Sequence, residues 1–285
     1  MEQLQFKISS FLKDLIGREL ITDEFVAVFE LVKNSFDAHA QKVKVIFEKQ
    51  YDPQNSRIVI WDDGHGMNKN DLINKWLFVA HSDKRDGTED KDYRNQIHNH
   101  RTFAGAKGVG RFSCDRLGRY LKLLSIKDAP NAQIECLDID WTSFEEDSNR
   151  EFVDIKVNHN TLDATDYDNF DCGTILEISG LRDVWDRERI KKLRNSLEKL
   201  INPIQGNNVD DFAIEIIAPN ELLQDSKEKD EHSKVNGIVK NIVFERLGLK
   251  TTQIEVSITD HGGIITTTLT DRGTQIYVLK VLLMR

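Results

Sequence analysis

The sequence contains few cysteines and no long apolar run, and each absence narrows what the chain can be. Its 285 residues include three cysteines, at positions 114, 136 and 172, without metal-type spacing. This predicts buried or free thiols in a reducing compartment. No stretch approaches the roughly 18 apolar residues that cross a membrane, and no signal peptide is visible. We therefore expect a cytoplasmic protein with no membrane partner.

The sequence also lacks an excess of positive charge. It has 39 Lys and Arg against 48 Asp and Glu, for a net charge of -9. A surface dominated by nucleic-acid contacts is usually basic, so this balance argues against one but leaves a local basic patch open. The chain is 39% apolar and 31% charged, which suits a substantial core under a well-solvated surface.

The segment "ELVKNSFDAHA", residues 30–40, lies within a predicted helix over 22–39. Thr22 or Asp23 is the expected N-cap. At 100° per residue, apolar side chains gather on one side of this helix: Phe25, Val28, Phe29, Val32 and Phe36. Polar side chains at i, i+4 and i+7 share the other face: Glu30, Asn34 and Asp37. We expect the apolar side to pack on the sheet.

The rest of the first part alternates strands with irregular segments. Runs at 42–48 and 57–61 are strand-like, and the turn between them predicts a hairpin. Residues 70–80 resume a helical pattern. Residues 81–104 are polar and without periodicity, which is typical of a lid or a disordered segment. Further strands are predicted over 119–126, 132–140, 151–158 and 174–179.

The pattern changes at Asp186, so we place a domain boundary near 185 and expect two domains, 1–185 and 186–285. The second begins with a charged amphipathic helix over 186–201, which a proline ends. Its strands are predicted near 212–217, 235–245, 252–259, 263–269 and 275–284. Because the last run ends without a polar tail, we expect an N-terminal piece of a longer protein.

Four short motifs follow one another along the chain: Glu30-x-x-x-Asn34-x-x-Asp37-Ala38, Asp62-Asp63-Gly64-His65-Gly66-Met67, Gly105-x-x-Gly108-x-Gly110 and Gly173-Thr174. Singly, each has an ordinary structural interpretation, such as a solvated helix face or a turn after a strand. The glycine run matches neither a Walker A loop nor a dinucleotide fingerprint. A glycine cluster that opens a helix nevertheless suits phosphate, because backbone N–H groups point inward.

In this order and spacing the motifs resemble those of the GHKL ATPases, which include gyrase B, the heat-shock chaperone, sensor histidine kinases and MutL, with MORC proteins close by. "ELVKNSFDA" resembles the N box, "DDGHGM" the adenine motif, "GAKGVGRFS" the phosphate loop and "GT" the last motif. The resemblance covers roughly residues 18–180 and is closest to the MutL, MORC and chaperone branch.

The resemblance implies an α+β fold. We expect a two-layer α/β sandwich, the Bergerat ATP-binding fold, with helices on one face of a mixed, mostly antiparallel sheet. A smaller α/β, transducer-like domain would follow over 186–285. Its lysine for the γ-phosphate stays open among Lys240, Lys250 and Lys280.

The resemblance also implies roles for residues, with ATP and Mg²⁺ as the ligands. Glu30 would be the catalytic general base, Asn34 the oxygen ligand of Mg²⁺, and Asp37 a group that orients water or Asn34. Asp62 would accept a hydrogen bond from the adenine amino group. The other expected nucleotide contacts are Ala38, Gly64, Gly66, Met67, Gly105, Ala106, Lys107, Gly108, Val109, Gly110, Arg111, Phe112 and Thr174.

Three details depart from the family or invite another interpretation. Asp63 stands where asparagine is frequent, and the residues suggest no reason for it. His65 occupies a variable position and is expected to be a spacer. The run His98-Asn99-His100 has the letters HNH, by which a nuclease family is known. In that family these residues are spread over a longer element, so we interpret the histidines here as part of the lid.

The function implied is an ATP-operated clamp. ATP and Mg²⁺ would order the lid, about 81–104, two subunits would form a homodimer, and slow hydrolysis would reopen them. Autokinase activity is not expected, because no histidine precedes the first helix. Two other classes stay open. One is a nucleotide sensor with little turnover; the other is a chaperone-like or DNA-associated scaffold, for example in a bacterial defence system, whose client is DNA or protein.

Overall fold

The structure is a computed structural model, and the residues it describes are 9–10, 12, 21–78, 110–145, 151–152, 155–163, 170–201, 212–241, 252–259 and 263–282. The predicted lid and most of the glycine loop lie outside these residues. Contacts divide the chain into two compact units. The first consists of Met1–Leu200 and Val209–Val239, and the second of Ile201–Asn208 and Lys240–Arg285.

A mixed sheet forms the frame of the first unit. Within the described part of the chain it has eight strands in the order β5-β4-β3-β6-β2-β1-β7-β8. The strands are β1 Lys42–Glu48, β2 Arg57–Asp62, β3 Gly118–Ile126, β4 Ile134–Asp140, β5 Asn158–Leu162, β6 Gly173–Leu181, β7 Ala213–Ile217 and β8 Gly237–Ile238. Neighbours are antiparallel except β1 and β7, which are parallel.

The helices of this unit are mostly short, and the longest contacts two of the others. They are α1 Glu24–Asp37, α2 Lys69–Asp71, α3 Ser113–Leu117, α4 Arg187–Leu197 and α5 Leu222–Asp225. The π-helical turn Leu72–Trp76 continues α2, the 3-10 turn Gly110–Phe112 precedes α3, and another, Glu198–Leu200, follows α4. Further 3-10 turns are Trp141–Phe144, Pro219–Glu221 and Glu231–Ser233. This confirms the predicted α+β fold with a mixed, mostly antiparallel sheet.

Helix α1 begins and ends where its terminal residues favour it. The Asp23 carboxylate accepts a hydrogen bond from the Val26 N–H at 2.8 Å and so caps the first turn. At the other end the Ala38 N–H still bonds to the Asn34 carbonyl at 2.9 Å. His39 then takes a positive φ of 63°, which turns the chain out of the helix.

The buried side of α1 differs from the predicted one. It includes the small or aliphatic residues Ala27, Val28, Leu31, Val32 and Ser35, whereas the three phenylalanines are only half-buried. Small residues on the buried side allow close packing of the helix against its neighbours, and the half-buried phenylalanine rings lie at the margins of that side. Phe25 lies edge-on to Trp185 at 5.8 Å, and Phe36 lies edge-on to Phe212 at 5.1 Å.

One predicted strand is misplaced, and another is described only in part. The strand expected over 151–158 is instead β5, which pairs with β4 and is polar throughout except Leu162. An edge strand of this kind has no apolar alternation to reveal it. Of the strand expected over 235–245, the described residues show only the two-residue β8. The predicted hairpin of β1 and β2 is confirmed, with Val45 opposite Ile60.

The segment beyond residue 185 is shared between the two compact units, and much of it belongs to the first. Strand β7 continues the first sheet beside β1, with Val43 opposite Ile214 and Val45 opposite Ile216. Helix α4 also belongs to the first unit and buries Ile190, Leu193 and Leu197. The charge pattern of α4 suggested a new domain, but its apolar stripe is buried in the first unit.

The second unit contains a separate antiparallel sheet. Its described strands are β9 Thr252–Ile258, β10 Ile264–Asp271 and β11 Thr274–Leu282, in the order β11-β10-β9. Arg272 and Gly273, with φ of 49° and 78°, form the two-residue turn between β10 and β11. The helix predicted for this domain is α4, which belongs to the first unit.

The state of the cysteines and the search for membrane-spanning helices bear on two expectations from the sequence. Cys114, Cys136 and Cys172 are all free thiols, and the first two are buried. Among the helices in the described ranges, none combines the length and the apolar character needed to cross a membrane.

The buried side of α1 gives a stability prediction. Leu31→Ala leaves a cavity at a side chain that is 1% exposed, so we expect it to lower the free energy of unfolding by about 2–5 kcal/mol. Val26→Ala, on the same helix but 38% exposed, should change it by about 0.5 kcal/mol or less. Urea unfolding followed by circular dichroism measures both; equal losses would contradict the buried face described above.

Candidate functional site

The polar face of α1 contains three side chains in different environments. Asn34 is exposed, Glu30 is half-exposed and Asp37 is buried. The Glu30 carboxylate lies 3.5 Å from the Lys33 ammonium, one turn further along the helix. The exposed Asn34 amide and the half-exposed Glu30 carboxylate can therefore contact a ligand from solvent, whereas the buried Asp37 cannot.

One end of the glycine motif reaches this face. A Cβ atom built on Gly110 would lie 3.1 Å from Nδ2 of Asn34, so the backbone there passes close to the amide. Gly105, Ala106, Lys107, Gly108 and Val109, the other predicted phosphate contacts of the loop, lie outside the described residues. The structure therefore brings Gly110 to Asn34.

The two residues after Gly110 use their side chains inside the protein. The Arg111 guanidinium donates hydrogen bonds to the carbonyls of Trp76 and Phe78, and burial lowers its pKa to about 10. Phe112 is 2% exposed and packs against Trp141 and Phe152. Any contact that Phe112 makes with a nucleotide must come from its backbone.

Ion pairs anchor α3, the helix that follows this turn. Arg116 lies 3.2 Å from Glu24 at the start of α1 and 2.8 Å from Asp183, which precedes α4. The fully buried Asp115 accepts a bond of 2.7 Å from Arg182. Because breaking such buried pairs leaves a charge without compensation, they fix the position of α3 against its neighbours.

Asp62 is the central carboxylate of the site. It ends β2, is 6% exposed, and accepts a hydrogen bond of 2.8 Å from the Ser35 hydroxyl of α1 through Oδ2. Its Oδ1 accepts from the backbone N–H groups of Gly64 at 3.0 Å and Thr174 at 3.2 Å. Burial raises the pKa of Asp62 to about 6, against the opposing effect of these three bonds. One side chain thus joins the first, second and fourth motifs.

Two glycines allow the backbone segments to meet here. Gly66 has a φ of 58°, and a Cβ there would lie 1.8 Å from the carbonyl oxygen of Ile126. Gly173 has a φ of 111°, and its Cβ would lie 2.0 Å from the carbonyl oxygen of Asp62. Both positions need glycine for conformation and for space.

Ser125 is a member of the site that the sequence motifs miss. It is 0% exposed, near the end of β3. Its hydroxyl accepts from the Met67 N–H at 2.8 Å, donates to the Gly173 carbonyl at 3.0 Å, and lies 3.1 Å from the Thr174 hydroxyl. The available signal was a serine in the otherwise apolar end of the run "YLKLLSI".

The structure explains Asp63. Its Oδ1 accepts hydrogen bonds of 2.8 Å from the backbone N–H groups of Gln41 and of Lys42, the first residue of β1. The His65 N–H bonds to the Ala38 carbonyl at 2.9 Å, and its ring stacks on that of His39 at 4.9 Å. These contacts join the end of α1 to the adenine-type motif and give Asp63 and His65 positional roles.

The glycines offer a matched test of this geometry. Gly237→Ala meets only the cost of its φ of 106°, about 1–3 kcal/mol, because nothing lies within 4 Å of the added Cβ. Gly173→Ala adds a backbone clash to a φ of 111°, so we expect a loss of more than about 3 kcal/mol. Urea unfolding of both variants gives the comparison; an equal loss would show that Gly173 does not approach Asp62 closely.

The arrangement suits an adenine nucleotide. It offers a buried acceptor at Asp62, an exposed amide oxygen at Asn34 beside the Gly110 backbone, and a carboxylate at Glu30. Comparison with known families agrees: the family described as Histidine kinase-, DNA gyrase B-, and HSP90-like ATPase matches residues 22–174, more than half of the chain. No curated protein sequence matches the chain. The chain belongs to this family of GHKL-type ATPases.

Proposed function

We propose that this chain binds ATP with Mg²⁺ and hydrolyses it slowly at the site between α1, the ends of β2 and β3, and the start of β6. The observation that carries the proposal is the buried Asp62 carboxylate, held by donors from three separate motifs. A buried carboxylate is costly unless it is hydrogen-bonded. Its position between α1 and the backbone of the second and fourth motifs supports a role in ligand recognition.

Asp62 would recognise the base. A carboxylate accepts a hydrogen bond from the exocyclic amino group of adenine, whereas guanine presents a carbonyl oxygen at that position. Two facing acceptors leave a buried group unpaired, which costs about 1–3 kcal/mol. Gly64, Gly66 and Met67 would line the base, since their backbone surrounds Asp62 and Ser125.

Asn34 would hold the metal. Mg²⁺ prefers oxygen ligands, keeps several waters and needs few protein groups when a triphosphate supplies others. In the described part of the chain no group of three His, Cys, Asp or Glu side chains is placed to hold a metal. The exposed Asn34 amide beside the Gly110 backbone fits such a shared site. When bound, the ion would neutralise phosphate charge.

Glu30 would act as the general base. It lies one helical turn before Asn34 on the same face and is half-exposed, so a water held between it and the phosphates is accessible to its carboxylate. Lys33, 3.5 Å away, restrains the carboxylate without burying it. Glu30 would take a proton from that water as it attacks the γ-phosphate.

The larger cycle rests on the sequence. Ordering of residues 81–104 on ATP binding, homodimerisation of a clamp, membership of the MutL, MORC and chaperone branch, and a transducer role for the second unit all belong to this proposal. The net charge of -9 favours a protein client over an extended DNA surface.

The role of Glu30 is tested by Glu30→Gln, which keeps the size of the side chain but removes the base. We expect ATP affinity to stay within about threefold of wild type and hydrolysis to fall by about 10²-fold or more. Binding is measured by calorimetry and turnover by phosphate release. Lys33→Ala is the matched control, since it removes the same ion pair and should retain hydrolysis. Wild-type turnover in Glu30→Gln would refute the assignment.

The role of Asp62 predicts a pH dependence. Its pKa is raised to about 6, so ATP affinity should fall as the pH drops through 6 and the carboxylate takes up a proton. Asp62→Asn should bind ATP more weakly at pH 7.5 and lack this step. Protonation of the ATP phosphates affects the wild type and Asp62→Asn equally, so it cancels when their affinities are compared at each pH. Identical profiles of affinity against pH would contradict the role of Asp62.

Protonation of Asp62 affects the stability of the fold in the opposite direction to ATP affinity. A carboxyl group whose folded pKa lies above its unfolded pKa contributes most stability at low pH and loses it as the pH rises through about 6. A fall in ATP affinity on acidification therefore cannot come from destabilisation by Asp62. Thermal unfolding without nucleotide, from pH 5 to 7.5, checks this sign.

A further inference from the structure

Ser125 ends an apolar stripe with a polar group. Leu121, Leu123 and Ser125 are alternate residues of β3, and they are 2%, 0% and 0% exposed. Three hydrogen-bond partners surround the hydroxyl of Ser125: the Met67 N–H, the Gly173 carbonyl and the Thr174 hydroxyl. A fully buried serine at this point therefore links the second motif to the fourth.

The hydrogen bonds of Ser125 are limited by its chemistry. A hydroxyl has one proton to donate and two lone pairs that accept. The Met67 N–H, at 2.8 Å, occupies one lone pair, and the Gly173 carbonyl, at 3.0 Å, takes the proton because it can only accept. The remaining lone pair faces the Thr174 hydroxyl at 3.1 Å. Thr174 must therefore donate its proton to Ser125.

This direction decides what Thr174 can offer to a ligand. With its proton committed to Ser125, the Thr174 hydroxyl presents only lone pairs on its other side. Its backbone N–H is also committed, to Asp62 Oδ1 at 3.2 Å. Asp62 and Thr174 are thus two neighbouring acceptors, joined through one backbone bond. An exocyclic amino group has two N–H donors and suits such a pair, directly or through a water.

We propose that Ser125 is a positioning residue for base recognition, which orients the Thr174 hydroxyl as an acceptor and so disfavours purine nucleotides with a 6-oxo group. This inference rests on the proposed function, because it requires the base to lie beside Asp62 and Thr174. Without Ser125, Thr174 can turn its proton outward and donate to a carbonyl oxygen, so discrimination against that oxygen falls.

The test compares dissociation constants for ATP and inosine triphosphate, which carries the 6-oxo group. Ser125→Ala should reduce the preference for ATP by about three- to tenfold, the worth of one hydrogen bond. The ratio of the two constants is the readout, because loss of the Met67 bond weakens both nucleotides alike. An unchanged ratio in Ser125→Ala would overturn the proposal.

A double-mutant cycle separates positioning from a structural effect. Thr174→Val removes the hydroxyl that Ser125 orients but leaves the bonds of Ser125 to Met67 and Gly173. In that background Ser125→Ala should leave the ratio unchanged. If it lowers the ratio as much as it does in the wild type, Ser125 acts through the backbone and the proposal is wrong.

The experiment distinguishes three outcomes: misfolding of Ser125→Ala, failure of the proposed function, and failure of the role of Ser125. If Ser125→Ala does not fold, Thr174→Ser and Thr174→Val decide: the serine variant should keep the wild-type ratio and the valine variant should lower it, and equal ratios overturn the proposal. If the wild type binds neither nucleotide, the proposed function fails as well. If the wild type prefers ATP but the variants keep that preference, only the role of Ser125 fails.

Discussion

A single buried carboxylate holds the site together. Asp62 would lose several kcal/mol on leaving water if it were isolated, yet here it accepts bonds from a serine of α1 and from two backbone N–H groups of other motifs. Each donor belongs to a different segment, so those segments must meet around it. In the proposed function, the same burial that constrains the fold would also make the carboxylate selective for a hydrogen-bond donor, since water would not compete for it.

The surrounding contacts keep that meeting point rigid. Gly66 and Gly173 allow backbone approaches that no side chain would permit, and the Ser125 hydroxyl joins Met67, the residue after Gly66, to Gly173. Asp63 fastens the start of β1 to the end of β2. Around α3, ion pairs add to the apolar packing of Cys114 and Leu117, with Arg116 bridging α1 and the segment before α4. The proposed ligand recognition and the stability of the fold would therefore depend on many of the same atoms.

Much of this could be predicted from the sequence, for reasons visible in particular residues. Helix α1, the hairpin of β1 and β2, and the α+β class follow from local periodicity and from the spacing of four motifs. The buried face of α1 did not, because helical periodicity counts phenylalanine as core whereas close packing favoured Ala27 and Ser35. Strand β5 was missed because its polar residues carry no alternation.

The sequence by itself determined the family, since the motifs and the matched residues 22–174 coincide, and it determined which polar side chains share the face of α1. Only the tertiary structure decided the partners of Asp62, the part played by Ser125, and the inclusion of α4 and β7 in the first unit. These depend on contacts between residues far apart in the chain. Local patterns carry no information on such contacts, because hydrogen-bond geometry and burial arise only when the segments meet.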